Sequence, residues 1–135
     1  MNYKIRNYKK DEYAMILGWW NDCQEVAPLP EMLPEESTFI LDVNDQPTIC
    51  VTVYLTNSKT FCMVDNLICN PAFRDSKLRR KAVEVMNGYV DCFAKEKGFE
   101  RILCMAEKNA LKRRYMELGF RPTLDGVTTL IKGVQ

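Results

Sequence analysis

The sequence predicts one α/β domain built on a central mixed sheet, with six or seven strands flanked by three to four helices, and three observations lead there. Strand-length runs of β-branched and apolar residues alternate with longer stretches whose apolar residues recur at helical spacing, the pattern of helices packed on a sheet. Three of the strand-like runs follow one another across short turns and so pair antiparallel, whereas a helix separates the third from the next, which makes that pair parallel. The 135 residues suit a single domain. A domain of that size buries roughly two-thirds of its unfolded surface, enough for one core.

Residues 3–7 alternate apolar and polar as a short strand does, and Asp11 is the expected N-cap of a helix that carries Tyr13, Ile16, Leu17 and Trp20. From Cys23 to Ser37, Pro28, Pro30, Pro34 and several acids predict a loop with at most one short helix. The runs 38–43 and 48–56 form a hairpin across Asn44-Asp45-Gln46-Pro47, and Asn57-Ser58-Lys59 leads into a third strand, 61–69. After Asn70-Pro71-Ala72-Phe73, the stripe Leu78, Ala82, Val85, Met86, Tyr89, Phe93 and Ala94 marks a long helix from Asp75 or Ser76 to Lys97 that Gly98 stops. A strand over 101–106, a helix over 109–118 closed by Gly119, and a strand over 128–134 after the Asp125-Gly126 turn complete the order. Counting 120–123 as a strand brings the sheet to seven.

Composition removes several classes of function. Lys plus Arg (19) nearly balance Asp plus Glu (18), so no global field draws in nucleic acid and anion binding requires a local cluster. No stretch approaches the ~18 apolar residues of a membrane span and the amino terminus has no apolar signal core, so no membrane partner and a cytoplasmic location are expected. The six cysteines lie within apolar runs and are expected to be reduced and mostly buried. With no histidine and no C-x-x-C pair, a zinc site or a histidine-based triad lacks its ligand or base, and no metal is expected.

The element order, with Asn70-Pro71, Phe73-Arg74, the long helix, Asn109 to Tyr115 and Gly119-Phe120, resembles the GNAT N-acetyltransferase superfamily across nearly the whole chain. That family's usual ending places a tyrosine four residues before Gly-Phe, as Tyr115 stands here, although Asn109 is one residue closer to the tyrosine than is typical. Its strand-to-helix junction reads Arg or Gln, two variable residues, Gly, one residue, then Gly or Ala, and the backbone amides hold the pyrophosphate of coenzyme A. Here the junction reads Arg74-Asp75-Ser76-Lys77-Leu78-Arg79, so the arginine is in place while Lys77 and Arg79 fill both small positions. A side chain there points back toward the helix N-terminus and crowds the approach of a phosphate.

The resemblance implies acetyl-CoA as co-substrate, bound by Arg74, Ser76, Lys77, Leu78, Arg79, Arg80 and Asn109. It implies Tyr115 as the acid that protonates the departing sulfur. Asp65, the only acid in 61–69, would accept the proton of the acceptor ammonium. The implied partners are acetyl-CoA and a primary amine of a small molecule or protein, and a homodimer is compatible with the family.

Each of these residues has a plainer reading beside it. Tyr115 also fits a core aromatic on an amphipathic helix, and Asp65 or Asn66 a polar residue at a bulge. The cations Arg74, Lys77, Arg79, Arg80 and Lys81 crowd a helix end that already carries roughly half a positive charge, which a bound anion would relieve; they also fit a solvated face. Trp19 and Trp20 diverge by ~100° on a helix, so one belongs to the core while the other is free to line an acceptor cleft. The glycine-poor junction motivates the competing function, a catalytically silent GNAT-fold structural or binding protein such as a phage virion component.

Overall fold

The computed structural model describes residues 1–106, 109–124 and 126–134, with Asn109 described in its backbone alone. The chain divides into two compact units, Met1–Met105 and Ala106–Gln135.

In the first unit, β1 (Tyr3–Asn7) leads through a 3-10 turn at Lys10–Glu12 into α1 (Tyr13–Asp22). A second such turn, Pro30–Met32, precedes β2 (Thr38–Val43), β3 (Gln46–Tyr54), β4 (Phe61–Cys69), α2 (Ser76–Glu96) and β5 (Arg101–Cys104). The sheet order is β1-β2-β3-β4-β5. The first three pairings are antiparallel and β4 with β5 is parallel, as expected for two strands joined through a helix.

The hairpin is tighter than its sequence suggests. Asn44 and Asp45 take φ of 50° and 65° and make a two-residue turn, so β3 begins at Gln46 and not at Thr48. Asn and Asp tolerate the left-handed region, and a two-residue turn of that hand matches the twist of the strands. The start of α1 also differs: Asp11 lies inside the 3-10 turn, and the Glu12 carboxylate takes the Lys9 N–H at 3.0 Å. Glu12 and Asp42 both accept from the Arg6 guanidinium at 2.8 Å. That pairing holds Glu12 below its ordinary value although burial alone would raise it.

Both faces of the sheet are covered. Strand alternation puts Ile40, Cys50 and Ile68 on the face of α1, where they bury with Tyr8, Ile16, Trp19 and Leu33. Phe39 points to the other face and meets Tyr89 and Phe93 of α2 edge to face, with ring centroids 5.0 and 4.9 Å apart. Six consecutive β3 positions, 48–53, are buried, which fits a segment of apolar residues and β-branched threonines without polar alternation. Trp19 is the core member of the tryptophan pair. The cysteines are less sheltered than expected: Cys50 and Cys62 are buried, Cys69 and Cys104 half-buried, and Cys23 and Cys92 exposed.

The second unit contains α3 (Asn109–Glu117) and the segment after it. Gly119, at φ 100°, lets the chain turn so that the Phe120 N–H reaches the Tyr115 carbonyl at 3.0 Å. The expected strands over 120–123 and 128–134 do not form: five strands are present among the described residues, against the six or seven expected. Leu124, Val127, Leu130, Ile131 and Val134 are exposed there. An apolar, β-branched run becomes a strand when its backbone finds a ladder partner, and these residues have no ladder among the described residues. Asp125, of the expected turn, lies outside the described residues.

Candidate functional site

The site begins where β4 outruns its parallel neighbour. β5 pairs with β4 from Phe61 opposite Arg101 to Val64 opposite Cys104, and β5 ends at Cys104. Residues 65–69 of β4 continue with no strand on that side among the described residues. Along residues 65–68 that edge has no ladder partner among the described residues, and apart from the Asn66 N–H, which Asp65 takes, it can meet a ligand with amide groups of its own.

At the point of divergence β4 carries a bulge. Cys50 faces Ile68 and Thr52 faces Asp65, so Asn66 and Leu67 together oppose the single residue Val51. Asn66 absorbs the irregularity with φ 58°, a conformation asparagine adopts readily. Its backbone N–H donates to its neighbour Asp65 Oδ1 at 2.8 Å, and its side-chain Nδ2 donates to the Tyr54 hydroxyl at 2.8 Å. The Tyr54 hydroxyl in turn donates to the Met32 carbonyl at 2.7 Å. Burial raises the Tyr54 phenol above its ordinary value, with the Asp65 charge adding to it and the Asn66 bond opposing it. Burial, and then Asp65, push the Cys104 thiol up to about 11. Asp65 is half-buried and so combines access with a short range to two groups that feel its charge.

Arg74, Ser76, Lys77, Arg79 and Arg80 are all exposed around the start of α2, and Leu78 is half-buried. Asn70 brings the chain there: its N–H reaches the Thr48 carbonyl at 2.7 Å, its Nδ2 the Pro47 carbonyl at 2.8 Å, and its Oδ1 caps the Ala72 N–H at 2.9 Å. Because β4 runs directly into this turn, the positive end of α2 stands at the same end of the sheet as the unpaired stretch of β4. One arrangement opposes anion binding. Asp75 is the N-cap of α2, and its Oδ1 accepts from the Lys77 N–H at 3.0 Å and the Leu78 N–H at 3.2 Å. Two of the amides that the family's phosphate loop would offer are therefore occupied by the protein's own carboxylate.

Tyr115 belongs to the second unit and is buried, 7% exposed, with its ring meeting Phe120 edge to face at 5.0 Å. Asn109 starts α3, and its side chain lies outside the described residues. The structure thus brings Asp65 to the mouth of the β4–β5 divergence and gathers the basic residues at one helix end, while Tyr115 is placed within its own unit. Sequence reasoning missed Tyr54 and Cys104, which read as ordinary apolar-strand residues, and missed Asp75 as the occupant of the helix end. The signal for Asp75 was present, since Asp before a helical stripe is a preferred N-cap. Trp20 is half-buried beside the α1-side core, and its Nε1 is buried without a hydrogen-bond partner.

No protein-family model matches the chain, and no curated protein matches it. Solved structures do. Ard1 from Thermoplasma volcanium is similar over 92% of this chain and 86% of its own, with a TM-score of 0.72 at 13% identity. A Clostridium acetobutylicum protein described as a predicted acetyltransferase with acetyl-CoA is similar over 96% of both chains, with a TM-score of 0.65 at 15% identity. N-acetylglutamate synthase from Neisseria gonorrhoeae, complexed with coenzyme A and L-arginine, is similar over 94% of this chain, with a TM-score of 0.72 at 15% identity. This chain spans 29% of that enzyme's length. The fold is that of the GNAT acetyltransferases.

Proposed function

We propose that this chain, which has the fold of the GNAT acetyltransferases, is a cytoplasmic acetyl-CoA-dependent N-acetyltransferase acting on a primary amine of a small molecule or protein. The observation that carries the reading is the divergence of the parallel pair β4–β5 at Asp65 and Asn66, with a basic helix end at the same end of the sheet.

The residues fit coenzyme A in part. Arg74, Lys77, Arg79 and Arg80 supply charge-assisted bonds to its phosphates, with the Ser76 backbone alongside and the Leu78 amide reached only if Asp75 yields it. The edge of β4 beyond the end of β5, at residues 65–68, matches the amides of its pantetheine arm in the manner of an added strand. Asp65 accepts the proton of the acceptor ammonium, freeing the lone pair that forms the new C–N bond with the acetyl carbon. As the C–S bond breaks, Tyr115 gives its proton to the thiolate. The second proton of the new amide nitrogen returns to the Tyr115 phenolate through water, and Asp65 releases the first proton to solvent, which restores both groups.

The second reading, a GNAT-fold binding or structural protein without catalysis, draws support from the Asp75 carboxylate on the Lys77 and Leu78 amides. Titration calorimetry with acetyl-CoA, followed by turnover on a panel of amines, tests both. Binding with transfer supports the enzyme. Absence of both supports the silent fold.

A further inference from the structure

The loop between α1 and β2 presents an unusual packing problem. Three prolines, Pro28, Pro30 and Pro34, remove backbone donors from it; its own amides satisfy the Leu29, Pro30 and Pro34 carbonyls, and others are met from outside the loop. Side chains from the sheet and α1 do this at three points. Asn7 Nδ2 donates to the Glu35 carbonyl at 2.7 Å, the Tyr13 hydroxyl to the Pro28 carbonyl at 2.7 Å, and the Tyr54 hydroxyl to the Met32 carbonyl at 2.7 Å. Of these three donors, Tyr54 alone also engages β4, by accepting from Asn66 Nδ2 at 2.8 Å.

We infer that Tyr54 is a positioning residue: through one hydroxyl it latches the Pro30–Met32 turn to the β4 bulge, and so sets the distance between that loop and the Asp65 carboxylate where an acceptor amine would enter. The inference rests on the acetyltransferase reading for its catalytic consequence, but the latch itself does not. The chemistry of both partners favours it. A phenol has one proton to give and accepts readily, and here both capacities are used, in opposite directions, on segments 22 and 12 residues away. Burial raises its pKa, which keeps that proton in place. Asn66 is also informative, because glycine would satisfy φ 58° equally well and could not supply the amide.

Tyr54→Phe removes the hydroxyl and keeps the ring, while Asn66→Gly keeps the bulge and cuts the link, so a folded protein is expected from at least one. In each, the KM for the acceptor should rise about fivefold, the size of one neutral buried hydrogen bond, with kcat and acetyl-CoA affinity nearly unchanged. The double variant should lose no more than the worse single one, because both break a single chain of bonds. Amide exchange read by mass spectrometry should quicken in residues 29–36 in both variants, whether or not the protein turns over. Additive losses in the double variant, or exchange in 29–36 that Tyr54→Phe leaves unchanged, overturns the latch. A wild type that transfers no acetyl group defeats the enzyme reading, and the exchange experiment then decides the latch by itself.

Discussion

Replacing Asp75 with alanine should move two measurable quantities in opposite directions. The carboxylate caps α2 through the Lys77 and Leu78 amides at 3.0 and 3.2 Å, and loss of such a cap costs about 1 kcal/mol. In a domain of this size that lowers the melting temperature by roughly 3–5 °C. Affinity for acetyl-CoA should rise at the same time. A carboxylate ~5 Å from a phosphate charge repels it by about 0.8 kcal/mol even at the dielectric constant of water, which is roughly a fourfold change in Kd. The freed amides add to that gain, and Arg74, Lys77, Arg79 and Arg80 remain to hold the anion. Asp75→Asn separates the two effects, because it keeps a capping oxygen and removes the charge: the melting temperature should change little while affinity still rises. Calorimetry in low-salt and high-salt buffer, paired with thermal melts, reads both, and the gain should shrink in salt as exposed charges are screened. If Asp75→Ala lowers the melting temperature but leaves low-salt affinity unchanged or weaker, the phosphates do not bind at this helix end.

Three further outcomes are expected. Tyr115→Phe should lower kcat by ~100-fold or more in a variant that thermal melts show to be folded, and an unchanged rate in steady-state assays would remove Tyr115 as the acid. Arg74→Ala with Arg79→Ala should weaken acetyl-CoA binding more at low salt than at high salt, and affinity equal to wild type in both buffers would exclude the cluster. Cys104, with its thiol pushed up to about 11 by burial and by Asp65, carries little thiolate at neutral pH. Alkylation followed by mass spectrometry should therefore label exposed Cys23 and Cys92 first and reach Cys104 faster as pH rises; early labelling of Cys104 at neutral pH would contradict its placement.

Local signals in the sequence were sufficient for most of the sheet and for the parallel β4–α2–β5 unit. Residues 38–43 and 61–69 are β-branched and apolar between turn residues, and the stripe from Leu78 to Ala94 has one helical period, so each element is determined within a few residues of itself. The cationic character of the α2 start and the presence of an acid in β4 were equally plain, because charge is a property of the residue and not of its surroundings. What only the tertiary structure decided depends on partners distant in sequence. Whether 128–134 forms a strand depends on a ladder partner that its own alternation cannot supply. The exact turn at Asn44-Asp45, the bulge that sets Asp65 where β5 ends, and the Tyr54 hydroxyl shared between Met32 and Asn66 are relations between segments. Asp75 shows the division most directly: its type and position announce a cap, but only the chain turn after β4 sets that cap at the end of the sheet where the parallel pair opens.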